Sequence, residues 1–149
     1  MLAKKVTLVV LGLAALLCVQ VHVGYAAGND GVKKYFSETA SKVKSTTAPV
    51  QKREILDKSF RTMSKALDRI ESSGLISKQD RAGIDRFKTT LQEKQDELLG
   101  RNGFERVSDA QLNDFSDYVV QDMDQAAETI TISVVAALLV LILVILVVR

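Results

Sequence analysis

The side chains that most often perform catalysis or bind metal ions are nearly absent from this chain. Its only cysteine is Cys18 and its only histidine is His22. Both lie in an N-terminal apolar segment that the sequence predicts to be cleaved off. The remaining chain would lack the ligands of ordinary zinc sites, the thiols of a disulfide and the histidine of a catalytic triad. We therefore expect no enzyme activity, no metal site and no cofactor.

Acidic residues are a second group that could bind a metal. Six of them lie between positions 109 and 128, a stretch that holds no Lys or Arg. A calcium-binding EF-hand loop needs oxygen ligands at alternate positions and a glycine at its turn. Here Asp117, Asp124 and Glu128 recur instead at the spacing of one helix face. The pattern predicts a solvated helix face and no calcium site.

Basic residues are concentrated earlier in the chain, where ten Lys or Arg and only four acids lie within 33–69. One interpretation is a patch for an anionic surface, such as an envelope polymer, lipid headgroups or an acidic protein. The residues that would contact it are Lys42, Lys44, Lys52 and Arg53. The other interpretation is that these charges solvate helix surfaces and attract the acids of the last helix. No nucleic-acid partner is expected, because the interleaved aromatic residues of single-strand binders are absent.

The spacing of the apolar residues predicts that helices carry these charges. After Pro49 the apolar positions recur at intervals of four, three, four and three, which is typical of a coiled coil or helical bundle. They are Leu56, Phe60, Met63, Leu67 and Ile70, which we call the seam. The seam either packs within a bundle or receives a helix from a protein partner or from a second copy of the chain.

Local signals mark where the helices begin and end. Pro49 suits the first turn of a helix, and Gly74 suits the position just after its last turn. The strings at 77–80 and 108–111 resemble capping boxes, which start helices. Glycines at 100 and 103 form a turn between the two helices that follow. The connections are short, which favours antiparallel neighbours.

These signals predict an all-α protein whose main domain is an extracytoplasmic antiparallel three-helix bundle over 48–129. The preceding segment, 27–47, is basic and is expected to be loosely helical or partly disordered, although it allows a fourth short helix. Lys94 and Gln95 fall where the apolar stripe of the third helix should continue. We therefore expect weak or exposed packing at that point.

Residues 1–26 have the outline of a cleaved secretory signal peptide. Two lysines precede an apolar stretch, and small residues surround a cleavage point after Ala26. One alternative is an uncleaved N-terminal helix, which would make the chain a membrane hairpin. Another is lipidation of Cys18, against which Leu17 stands where a lipobox has a small residue.

The segment 130–148 is predicted to be a transmembrane helix that continues the last bundle helix without a break. It has 19 residues and no charge, and at 1.5 Å each it would extend roughly 28 Å, close to the hydrocarbon thickness of a bilayer. Its acidic N-terminal flank and Arg149 place the bundle on the exported side, with a bacterial cell envelope favoured. The alternative is a GPI-type tail, which the terminal charge disfavours.

The sequence thus favours a small, single-pass, non-catalytic membrane protein. It would act by protein–protein contact or scaffolding at the extracytoplasmic face. One alternative is a module that binds an envelope polymer or another anionic polymer through the basic region 33–69. A further alternative is a membrane-active effector. No motif is specific enough to assign a family.

Overall fold

The computed structural model describes residues 27–74, 76–130 and 142. Within them the chain is helical and contains no strand, which confirms the all-α class. A single 3₁₀ turn, Asp109–Gln111, precedes the last helix. The four α-helices are α1 (Ala27–Ser45), α2 (Pro49–Ser72), α3 (Lys78–Leu99) and α4 (Leu112–Ala127).

The helices form a four-membered ring around one core. Helix α1 packs against α2 and α4, and α3 packs against the same two helices, with the most extensive contact between α1 and α4. Only residues 46–48 separate α1 from α2, and the two helices pack against each other, so they run antiparallel. The result is an antiparallel four-helix bundle with short connections.

The first segment is a full member of the bundle, so the fourth helix that the sequence allowed is present, and the loose packing expected of 27–47 is not observed. Helix α1 has 19 residues, and Val32, Phe36, Ala40 and Val43 are buried in the core. The sequence interpretation counted only the large apolar side chains and found too few. Ala40 completes a stripe at intervals of four, four and three, and its small side chain allows neighbouring helices to approach closely.

The helix boundaries follow the local signals closely. Pro49 occupies the first turn of α2, although Ala48 is the N-cap and makes no side-chain capping bond. Ser77 and Asp80 form the predicted capping box of α3. Gly100 ends α3 with a φ of +67°, and a Cβ at this position would lie 2.7 Å from the Cβ of Arg106. Glycine is therefore required there for both conformation and space.

Helix α4 ends at Ala127, so the prediction that it continues without a break past Thr129 is wrong. The backbone N–H groups of 128, 129 and 130 each donate to the carbonyl three residues earlier, which makes a tight turn. The Thr129 hydroxyl also donates to the Ala126 carbonyl at 2.7 Å. A Cβ on Gly83 of α3 would overlap the carbonyl oxygen of Thr129. The turn is thus seated against α3 at a position that only glycine allows.

The predicted signal peptide, 1–26, lies outside the described residues, and so does the predicted span 130–148 apart from Ile130 and Ile142. Among the helices that the structure describes, none is long and apolar enough to cross a membrane. The signal peptide and the transmembrane helix therefore stay predictions.

Candidate functional site

The seam forms the centre of the core. Each of its five residues is at most 5% exposed, and all of them belong to one hydrophobic cluster with side chains of the other helices. Phe60, for example, lies 6.2 Å from Phe36 of α1, measured between ring centroids. A partner helix could reach the seam only if the bundle opened.

Arg53 is used inside the bundle. Its side chain is 9% exposed, and its guanidinium donates to the carbonyls of Leu98 and Val107 at 2.6 and 2.9 Å. It also forms an ion pair with Asp109 at 2.7 Å. A planar guanidinium with several donors suits this task, because it can bind the end of α3 and the following loop at once. These contacts fasten the 100–108 loop to α2.

Three other basic side chains contact α4. Lys33 pairs with Asp124 at 2.9 Å and Lys44 with Asp117 at 2.6 Å. Lys52 donates to the Asn113 side chain at 2.7 Å. The hydrogen bond from Lys33 to Asp124 raises the pKa of Lys33. The basic region therefore does face the acids of the last helix, as the second sequence interpretation expects.

Of the four basic residues predicted to contact an anionic partner, Lys42 alone makes no hydrogen bond or ion pair with another helix or with the α3–α4 loop among the described residues. It is exposed and lines a groove of about 220 Å³ between α1 and α2. Lys58 lines the same groove from α2. The structure thus separates Lys42 from Lys44, Lys52 and Arg53 and brings it together with a lysine that the sequence interpretation did not name.

Lys94 has the opposite environment from the one expected. It is 4% exposed, so the prediction of weak or exposed packing is wrong there. Its ammonium group donates to Asp122 at 2.8 Å, to Glu97 at 2.9 Å and to the Tyr118 hydroxyl at 2.8 Å. Burial lowers the pKa of Lys94, but these three hydrogen bonds together outweigh burial and the pKa is raised. All three donors of the ammonium are thereby satisfied.

Two exposed apolar side chains lie at one end of the bundle, which we call the tip. Val50 is 78% exposed in the first turn of α2, and Phe104 is 41% exposed in the α3–α4 loop. Because the helices are antiparallel, the α1–α2 and α3–α4 connections share this end. The start of α1 and the end of α4 lie at the opposite end. The sequence interpretation did not identify the tip, because Val50 and Phe104 are far apart in the chain.

The acidic residues make no metal site within the described part of the chain. No group of three or more Asp, Glu, His or Cys side chains there is arranged to hold an ion. Asp109, Asp117 and Asp124 are each paired with a basic residue of α1 or α2. These acids hold the bundle together.

Comparison of the chain with protein-family models, with curated proteins and with solved structures gives no match.

Proposed function

We propose that this protein is a non-catalytic, membrane-anchored helical bundle that acts by protein–protein contact through its tip. The anchor is the apolar segment 130–148, and the bundle lies on the extracytoplasmic side. One observation carries the proposal: two of the three large exposed apolar side chains of the described residues, Val50 and Phe104, lie at one end of the bundle, whereas α1 begins and α4 ends at the other. The third, Tyr118, lies on the side of α4 and accepts a hydrogen bond from Lys94. A bundle anchored in this way would present Val50 and Phe104 away from the membrane.

The internal use of the other candidate surfaces supports the choice of the tip. The seam is buried, and Lys44, Lys52 and Arg53 contact residues of other helices or of the α3–α4 loop. At the tip, glycines at 100 and 103 and the Arg53 contacts hold the loop in a defined shape. An apolar side chain on a held loop loses little conformational entropy when it binds, which favours recognition.

Photocrosslinking in the native membrane tests the contact. A benzophenone amino acid at Val50 and at Phe104 should yield the same discrete adduct, either with a partner or with a second copy of the chain. The matched control carries the same group at Gln121, an exposed position on the side of α4. An adduct of equal yield from Gln121, or none from the two tip positions, would contradict the proposal.

Anchoring is tested separately by deleting residues 131–148. The shortened chain should be released from the membrane by alkaline carbonate, whereas the full chain should stay in the pellet. If both chains are extracted equally, the segment is not the anchor. The tip proposal could then still be judged on the crosslinking result.

A further inference from the structure

The outer surface of α1 and α2 carries positive charges that the bundle does not use. Basic side chains of α1 that face α4 are paired, as Lys33 and Lys44 show. Besides Lys34, four exposed basic side chains of α1 and α2 have no ion-pair or hydrogen-bond partner among the described residues. These are Lys42, Lys58, Lys65 and Arg69, which we call the cationic stripe.

The helix geometry places the cationic stripe along one line. Lys42 and Lys58 both line the α1–α2 groove, so they lie on facing flanks of the two helices. Lys65 and Arg69 lie seven and eleven residues after Lys58, and these spacings place all three side chains near one flank of α2. At 1.5 Å per residue, the three charges on α2 extend over roughly 16 Å.

The floor of the groove is lined by hydroxyl groups. Tyr35, Thr39, Ser59 and Thr62 line it, and the hydroxyls of Thr39 and Ser59 lie 2.9 Å apart. The Tyr35 hydroxyl donates to the Ser59 carbonyl at 3.4 Å and the Thr39 hydroxyl donates to the Tyr35 carbonyl at 3.0 Å, so both protons are used between and within the two helices. Glu38 also lines the groove, but two ammonium groups outnumber its single carboxylate.

We propose that the cationic stripe and the α1–α2 groove bind an extended polyanion, a linear polymer with repeated phosphate, sulfate or carboxylate groups. A small free anion could contact only one or two of the four charges. A flat anionic bilayer could meet the exposed lysines but could not enter the groove between the two helices. A single polymer chain can lie in the groove and contact Lys42 and Lys58 on its two flanks. The inference is independent of the proposed function, because it uses the side of the bundle and not the tip.

Binding of fluorescent heparin to the full chain in a neutral detergent tests this inference. The triple variant Lys42→Glu, Lys58→Glu, Lys65→Glu should bind about tenfold more weakly or worse, and the binding of the unchanged chain should weaken steeply with salt. The matched control reverses three exposed charges on α3: Lys78→Glu, Arg81→Glu, Arg86→Glu. It has the same net charge and should lose less than about threefold.

Three results would overturn the inference. The first is an equal loss in both triple variants while their circular dichroism remains that of the unchanged chain. The second is heparin binding that salt does not weaken. The third is failure to bind heparin together with binding of the nanodisc-embedded chain to phosphatidylglycerol vesicles that requires the same lysines, because that outcome assigns the stripe to a bilayer.

Discussion

At the scale of single residues, Lys94 is the most informative position in the bundle. It is an ammonium group inside a helix interface, and three hydrogen bonds compensate the loss of hydration. Its partners come from its own helix and from α4, so it links α3 to α4. A mismatch between these two helices would leave the charge buried without partners, which is why we infer that Lys94 fixes their alignment.

Replacing this lysine by methionine should destabilise the protein. Lys94→Met keeps the length of the side chain but leaves the Asp122 and Glu97 carboxylates, 24% and 23% exposed, without their cation. Breaking a buried pair costs several kcal/mol, and partial exposure of the acids reduces this to about 2 kcal/mol. The control Lys88→Met removes two ion pairs, with Asp68 and Glu71, from a lysine whose side chain is 32% exposed, and should cost about 1 kcal/mol or less. Thermal unfolding followed by circular dichroism measures both, and equal losses would contradict the account.

The raised pKa of Lys94 also predicts the pH dependence of its contribution. In the unfolded chain its pKa is the ordinary 10.5, and in the folded chain it is higher. The folded state therefore holds the proton more tightly, and the contribution is complete below about pH 10 and lost as the pH rises further. The stability difference between the unchanged chain and Lys94→Met should be flat from pH 6 to 9 and should shrink above about pH 10.5. A difference that grows with alkalinity would refute this assignment.

At the scale of elements, the 100–108 loop depends on a side chain from another helix. Arg53→Met removes its bonds to the Leu98 and Val107 carbonyls and to Asp109. We expect a loss of about 2–3 kcal/mol, because buried carbonyls are left without a donor. The Val107 amide, which donates to the Glu97 carbonyl, should exchange its hydrogen faster.

The control for this variant is Arg61→Met. Arg61 pairs with Asp57 one turn away on α2 and its side chain is 58% exposed, so the change should cost less than about 0.5 kcal/mol. Hydrogen exchange at Val107 should not change in this control. If both variants accelerate exchange there to the same extent, the loop is not held by Arg53.

The end of α4 depends on a glycine in α3. Glycine to alanine inside a helix normally stabilises by about 1 kcal/mol. Gly83→Ala should instead destabilise, because the new Cβ would overlap the Thr129 carbonyl. The control Thr89→Ala, at an exposed position of the same helix, should be neutral or slightly stabilising. Thermal unfolding measures both variants. A higher unfolding temperature for Gly83→Ala would show that the turn is not seated against α3.

Local signals in the sequence predict the elements well, and contacts between distant elements explain what they miss. The capping box at Ser77 and the turn glycine Gly100 act within a few residues, so their patterns can be recognised directly. Helix α1 was underestimated because Ala40 becomes a core residue only against the neighbouring helices. The burial of Lys94 depends on Asp122, and the need for glycine at position 83 depends on Thr129. Asp122 and Thr129 lie far from these residues in the chain, so the spacing of residues along α3 cannot identify them as partners.

At the scale of the whole molecule, the apolar core lies between the four helices and the exposed apolar side chains of the tip lie at one end. Four helices close the core, and the surface ion pair between Lys33 and Asp124 links α1 to α4. The tip exposes Val50 and Phe104 at the end opposite the start of α1 and the end of α4. In the proposed arrangement the anchored end faces the membrane, and the tip reaches a partner. We propose that contact with a partner through the tip is the function of this protein.

Native gel electrophoresis of detergent-extracted membranes tests whether the tip holds the protein in a complex. The double variant Val50→Asp, Phe104→Asp changes two exposed side chains and should leave the thermal unfolding temperature almost unchanged. The unchanged chain should migrate in a complex larger than one copy, the double variant should migrate as a single copy, and the control Thr89→Asp should behave like the unchanged chain. Migration of the double variant in the same complex as the unchanged chain would contradict the claim.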